Sequence, residues 1–396
     1  MMKKIGIVTP YGAYNYGSKL QAYAMLHIVE SHNFKAEIIS NRLAYGSSVF
    51  DVVKFYAKRV LRSFYTNPDK NRITKRSSRY GKETPKNVLD NILLRYRAID
   101  SFNVRLNVIK KFGFTNNLSQ FSRRYDAIFT GSDQVWKPTD NVFLDFYAIN
   151  FAPINVKRVA YAPSFGYDYL PKDKIEYFKD FTSKYIGLSC REISGAKILS
   201  ELTGKTVPTV LDPTILVGRK VWDKICDEKK AIEQENYVLC YLLGTSQEHR
   251  EIAKIVAKYL GCKILHFAHF REYVKADDTL GGKALYDVNP EEFLGYIKNA
   301  KFVVTDSFHC SAFSMQYHTS FITLQRYGAN AANSTNTRIY SLLQQFGLEN
   351  RILNNKEELQ QLVKEDPDWN FCEKQLDIKR TESNDYLDKI FKILNE

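Results

Sequence analysis

The chain has 396 residues, 44% hydrophobic and 26% charged, which excludes a disordered or collagen-like protein and allows two separate cores. With 57 Lys plus Arg against 44 Asp plus Glu, the formal net charge is +13, leaving nucleic acid, a membrane surface or a small anion as partner classes. No uninterrupted apolar run approaches the roughly 18 residues of a membrane span. The apolar stretch at the start is too short for a signal peptide and breaks at Pro10, so a cytoplasmic protein is expected.

In chain order, the pattern predicts a buried strand at Lys4 to Thr9, a polar loop, a helix from Ser18 to Ser31 and a strand at Ala36 to Ser40. Val49 to Lys111 reads as helical and basic, with a loop around Asn67 to Pro85. Strands follow at Ala127 to Thr130, Arg158 to Ala162 and Tyr185 to Ser189, then a helix from Arg191 to Thr203 and a strand at Val207 to Leu211 closed by the Asp212-Pro213 turn. The polar segment Gly218 to Asn236 reads as a connection. The alternation then restarts, with strands at Tyr237 to Leu243, Lys263 to Phe267, Phe302 to Thr305 and Ser320 to Leu324. Helices are predicted at His249 to Leu260, Pro290 to Lys298, Phe308 to Tyr317, Asn336 to Phe346 and Leu376 to Leu394. Such alternation means α/β architecture with parallel sheets covered by helices on both faces.

The expected organisation is therefore an N-terminal Rossmann-like domain over residues 1–187, with a basic helical insertion at about 48–112. A C-terminal Rossmann-like domain spans 188–372, and a last helix at 373–396 packs back on the first domain.

The six cysteines make no C-x-x-C pair and stand at no zinc spacing with histidines, so buried reduced thiols are the reading. His266 and His269, in HFAH, lack a neighbouring Cys or carboxylate pair, so a metal role there is disfavoured. No G-x-G-x-x-G, P-loop, G-x-S-x-G or H-E-x-x-H occurs, which argues against dinucleotide enzymes, P-loop ATPases and common hydrolases. Gly281-Gly282-Lys283 reads as a loop.

In open parallel sheets ligands bind beyond the C-terminal strand ends, where helix N-termini present free N–H groups to anions. Five polar clusters hold such positions. In the first, Asn15 and Gly17 contact an anion, or Ser18 simply caps the helix. The second, Gly131-Ser132-Asp133-Gln134-Val135-Trp136, is polar for a buried turn, although capping explains it equally. Ser164 lies in the third, Ala162 to Gly166, which mostly reads as a loop. In the fourth, Arg191 sits awkwardly at a helix start unless an anion or Glu192 compensates it. The fifth, Thr305 to Ser311, places His309 in the first turn of a helix capped by Asp306 or Ser307, as a candidate general acid or base or a satisfied core histidine.

Taken together, AYNYGSKLQAYA at 13–24, DAIFTGSDQVW at 126–136, VAYAPSFG at 159–166, SCREISG at 189–195, LDPTIL at 211–216, EFLGYIKNAKFVVTDSFHCSAFS at 292–314 and NTRIYSLL at 336–343 make the chain resemble the polysaccharide pyruvyl transferase family. The resemblance implies two Rossmann-like domains facing a cleft, as in GT-B glycosyltransferases. It implies a phosphoenolpyruvate-dependent transferase building a pyruvate ketal on a cell-surface polysaccharide, such as a capsule or exopolysaccharide, or on its lipid-linked precursor. Phosphoenolpyruvate is then a co-substrate, and no cofactor or metal is implied.

One departure stands out: many relatives carry Arg where this chain has Ser307. Arg191, Arg326 and Arg338 are the candidates to replace its charge. The donor site implied is Asn15, Gly17, Ser18, Arg191, Ser307, His309, Arg326 and Arg338, with His309 and Arg191 as the catalytic pair. Asp133, Gln134, Trp136 and Ser164 are expected to face the acceptor. A GT-B glycosyltransferase taking a nucleotide sugar is the alternative, and no nucleic-acid module is recognisable.

The positive charge is concentrated. Residues 54–82 hold ten Lys and Arg against Asp69 alone, interleaved with aromatics. That segment is either a peripheral contact for anionic lipid at the inner membrane face or a solvated helix and loop.

Overall fold

A computed structural model describes residues 2–12, 14–40, 84–109, 118–139, 143–269, 272–327 and 336–396. The basic segment 54–82, and with it the lipid-contact reading, lies outside the described residues. No helix among the described residues is long and apolar enough to cross a membrane.

The first unit is a five-stranded parallel sheet of β1 (Lys4–Val8), β2 (Lys35–Ile39), β3 (Val108–Ile109), β4 (Ala127–Thr130) and β5 (Lys157–Ala160), ordered β3-β2-β1-β4-β5. The second is a six-stranded parallel sheet of β6 (Tyr237–Tyr241), β7 (Lys263–Phe267), β8 (Lys283–Ala284), β9 (Phe302–Thr305), β10 (Phe321–Leu324) and β11 (Ile352–Leu353), ordered β11-β10-β9-β6-β7-β8. Both orders reverse beside their first strand, the topological switch of doubly wound sheets. The central strands are apolar on both faces because helices cover both: β4 and β9 are buried throughout.

The helices that matter for the site are α1 (Tyr16–Ser31), α2 (Lys86–Ser101), α3 (Ile193–Thr203), α4 (Gln247–Leu260), α5 (Pro290–Lys298), α6 (Phe308–Tyr317), α7 (Thr337–Gln344) and α8 (Trp369–Asn395). Their starts follow local chemistry. Asn15 caps α1, Ser246 caps α4, Ser307 caps α6, and Asn289 with Glu292 forms a capping box before Pro290 of α5. Every residue of α6 is buried, since it lies between the second sheet and the first unit.

The two units are locked at α1. Tyr16 stacks on Phe293 with centroids 4.5 Å apart and donates from its hydroxyl to Val288 O at 3.0 Å. Helix α8 returns to the first sheet: Phe391 stacks on His32 and packs near Phe34 and Phe129, and Ser383 Oγ accepts from Leu211 N at 3.0 Å.

Several sequence expectations change. A domain boundary at 187/188 cuts through the first unit. Gly187 bridges Val159, Cys190 bridges Thr209, and Cys190, Ala196, Leu199 and Val207 belong to the first core. The chain crosses over near Asp212 to Gly218 instead. Gly218 to Asn236 is not a bare connection either: it holds two short helices, with Trp222 buried against Phe313. Within the region read as helical, Val108–Ile109 is an edge strand, and Lys283, read as loop, opens β8, which pairs with β7. Helix α8 begins at Trp369, capped by Asp368.

Candidate functional site

The strand ends β1, β4 and β9 bring loops from both units to one place, with Asp212 at its centre. Its carboxylate accepts from Ser132 Oγ at 2.9 Å, Arg191 Nη1 at 2.8 Å, Thr214 N at 3.0 Å and Thr214 Oγ1 at 2.7 Å. Burial opposes its charge. The His309 and Arg191 charges and these hydrogen bonds outweigh that opposition and hold the carboxyl at about 2. The imidazole contributes only while protonated, so at neutral pH Arg191 is the cation that does so.

Arg191 is 4% exposed, with its guanidinium carbon over the Phe308 ring at 4.1 Å from the centroid. Asp212, not Glu192, is its ion partner. Glu192 instead accepts from Ser164 Oγ and, at 3.3 Å, from Gly166 N. Nε and Nη2 of Arg191 are buried with no hydrogen-bond partner among the described residues. A guanidinium with two donors unspent in an apolar setting is a ready anion site. Arg338, on α7, is buried nearby, and burial with the charges of Arg191 and Arg326 lowers its pKa to about 10.

His309, in the first turn of α6, places Nε2 3.8 Å from Asp212 Oδ2, and that nitrogen too has no hydrogen-bond partner among the described residues. Burial pushes the imidazole below its ordinary value, against the upward pull of Asp212 and Asp133. It is therefore neutral at pH 7, the form that accepts a proton. Gly17 is what allows it to stand there, since a Cβ at residue 17 would fall 2.3 Å from Nδ1.

Asp133 lies opposite. Ser18 Oγ donates to its Oδ2 at 3.1 Å and Gln134 N to its Oδ1 at 2.9 Å. Burial would raise its pKa, but His309, Arg191 and Arg338 bring it below the usual carboxylate range. Gln21 fixes the two loops to each other: its amide donates to Thr9 and accepts from Ser132 N at 3.0 Å. Gly131 has φ +114, and a Cβ there would meet Tyr161 O at 2.0 Å, so the β4 loop requires glycine.

The structure thus brings together Gly17, Ser18, Asp133, Arg191, His309 and Arg338 among the sequence candidates. Asn15 caps α1, accepting from Ser18 N at 3.3 Å, and Ser307 caps α6. Arg326 donates to Asp306 O at 2.7 Å and borders a separate cavity of about 310 Å³ with His249 and Lys356. Two acceptor candidates are corrected. Trp136 is fully buried among Phe165, Phe181 and Tyr185, with Nε1 donating to Tyr147 O at 3.3 Å. The hydroxyl of Ser164 is buried and spent on Glu192. Gln134 remains at the margin of the site, partly exposed. Cys190, beside Arg191, is no nucleophile: burial and Glu192 raise its thiol far above the ordinary range.

The residue missed was Asp212. Its signal was a strand-terminal Asp-Pro, which reads first as a turn.

The model of the family described as polysaccharide pyruvyl transferase matches residues 15–326, a span containing all of the site except Arg338. The chain belongs to the polysaccharide pyruvyl transferase family. Members are transferases, and a sugar of a polysaccharide is the acceptor class.

Among solved structures, a protein assigned as UDP-N-acetylglucosamine 2-epimerase from Listeria monocytogenes is similar at TM-score 0.51 and 9% identity, over 94% of this chain and 91% of that one. The epimerase from Methanocaldococcus jannaschii reaches 0.49 and 12%, over 92% of each chain. An α-glucosyltransferase in complex with UDP reaches 0.49 and 9%, over 99% and 100%. At 9% identity the likeness to the Listeria monocytogenes protein is one of fold, two Rossmann-like domains in the GT-B manner. Nothing among curated proteins matches the chain.

Proposed function

We propose that the protein transfers the pyruvyl unit of phosphoenolpyruvate to two hydroxyls of one sugar in a cell-surface polysaccharide or its lipid-linked precursor, giving a cyclic pyruvate ketal and inorganic phosphate. The observation that carries this reading is Arg191: buried, over the Phe308 ring, and holding two unspent donors beside Arg338 and the unspent Nε2 of His309. A donor with about three negative charges suits two guanidinium groups and converging helix N-termini.

In this scheme Arg191 and Arg338 hold the phosphate and carboxylate, and they stand in for the charge that Ser307 lacks. Asn15, Gly17, Ser18 and Ser307 supply the N-termini of α1 and α6, and Arg326 adds charge from farther off. Neutral His309 takes the proton of the first sugar hydroxyl as its oxygen bonds to the central carbon of the donor. Protonated His309 then gives that proton to the methylene carbon, which becomes methyl, and the imidazole returns to neutral. The second hydroxyl then displaces phosphate from the same carbon, and its proton leaves with the phosphate. Asp133 and Gln134 accept hydrogen bonds from the acceptor hydroxyls and orient them.

The test is to incubate the protein with phosphoenolpyruvate and a panel of nitrophenyl and lipid-linked galactosides. Phosphate release matched by a ketal-bearing sugar supports the reading. Release of UDP or GDP from a nucleotide sugar, with phosphoenolpyruvate inert, replaces it with glycosyl transfer.

A further inference from the structure

A cavity of about 630 Å³, within the size range of small-molecule sites, opens between α2 and the β7–β8 edge of the second sheet. It shares no lining residue with the Arg191–Asp212–His309 cluster. The stack of Tyr16 on Phe293 and its packing on Phe267 form the wall of α1 against the second unit.

The cavity is held open by design of its rim. Arg95 of α2, itself buried, donates to Ala268 O and, at 2.6 Å, to Leu285 O. One side chain thereby grips the ends of both strands that bound the space. Tyr273 and Tyr286 lie half-buried against the apolar side of α2 formed by Ile92 and Tyr96, presenting ring surface to the cavity.

Two features define what fits. The first is His266 of β7, which is 6% exposed, lines the cavity and makes no hydrogen bond through its imidazole among the described residues. A polar ring buried to that extent on a cavity wall is a partner kept for a ligand. Burial lowers its pKa to about 4, so it stays neutral and offers one donor and one acceptor. The second is charge. The lining carries Glu272, Asp277, Asp278 and Asp287 against Lys230 and Lys283. Asp277 is paired with Arg250, Asp287 with Lys230, and Asp278 accepts from Tyr273, so in a chain of net charge +13 this recess carries no surplus positive charge to hold a phosphate or carboxylate. Carboxylates that accept hydroxyl hydrogen bonds, a neutral imidazole and tyrosine faces together suit a neutral polyhydroxyl ligand and disfavour a nucleotide or the anionic donor.

We propose that this cavity is a second saccharide site, binding an uncharged stretch of the acceptor glycan away from the sugar that reacts. The proposal rests on the acceptor being a saccharide and not on the identity of the donor.

It is tested without any donor, by measuring retention of the full-length protein on an array of neutral and anionic oligosaccharides. Wild type is expected to be retained on a subset of neutral glycans, and Arg191→Lys, which keeps a buried positive charge beside Asp212, equally so. His266→Leu and Tyr286→Ala are expected to lose at least tenfold in apparent affinity while keeping a wild-type melting temperature. Asp278→Asn, an exposed change that leaves the fold alone, should weaken binding in the same glycans and serves if either of the first two fails to fold. Retention on anionic glycans only, no retention of wild type, or retention unchanged in the folded cavity variants would each overturn the proposal. Failure of phosphoenolpyruvate turnover with glycan retention intact would count against the reaction and leave this site standing.

Discussion

Gly17 of α1 and His309 of α6 meet where the two units join, so closely that a methyl group on residue 17 would lie 2.3 Å from Nδ1 and 2.7 Å from Cβ of the histidine. One glycine therefore sets the position of the candidate base. Gly17→Ala is expected to displace the imidazole by an ångström or so and lower kcat on the order of 100-fold. Alanine also favours the helix by roughly 1 kcal/mol, so the melting temperature should fall much less than the activity. Steady-state phosphate release and a thermal melt on the same preparation check both.

The Arg191–Asp212 pair is buried on both sides, and removing one partner leaves the other charge uncompensated. Asp212→Asn should destabilise the protein by about 3–5 kcal/mol, measured by urea unfolding. The double variant Arg191→Met/Asp212→Asn should recover part of that stability and none of the activity, because it removes the uncompensated charge while the amide oxygen still accepts from Thr214.

The pH dependence follows from His309. Its folded pKa lies below its unfolded value, so the native state prefers the neutral ring. That contribution to stability is complete above the unfolded pKa of about 6.5. It is lost as pH falls from there toward the folded value. Activity should be flat near neutrality and show an acid limb below about 6.5. Asp212, at about 2, stays ionised across that limb. A profile of kcat/KM against pH checks this: His309→Gln should be slow and lack the limb.

Trp136 separates packing from recognition. Buried among three aromatic rings, it should cost about 3–5 kcal/mol as Trp136→Ala. Trp136→Phe should keep the acceptor KM within about twofold if the variant folds. A selective rise in acceptor KM would return this residue to the acceptor site.

Much of the fold was legible because β1, β4, β6 and β9 are short, mostly apolar runs, and β1, β6 and β9 are followed by the helix caps Asn15, Ser246 and Ser307, a pattern written locally. The two-residue strands β3, β8 and β11 carry no run long enough to read and exist only because a longer neighbour templates them. The boundary at 187/188 failed for a different reason: the segments read as strands at Tyr185 to Ser189 and Val207 to Leu211 join the first unit through single bridges at Gly187 and Cys190, and nothing local in them says which sheet they extend.

At the site, the strand-end rule found His309, Arg191 and Asp133, since it depends on position alone. It failed on Trp136, whose direction is set by Phe165 and Phe181. It also missed Asp212, whose meaning comes from Ser132 and Arg191, far away in sequence.

If an anionic three-carbon donor sits on Arg191 and Arg338 beside His309, both guanidinium groups govern its affinity. Calorimetric titration of phosphoenolpyruvate into wild type, Arg191→Lys and Arg338→Ala tests it most directly. Saturable binding by wild type, weakened at least tenfold in both variants, is predicted. No binding by wild type, or binding of equal strength in Arg191→Lys and Arg338→Ala, would contradict it.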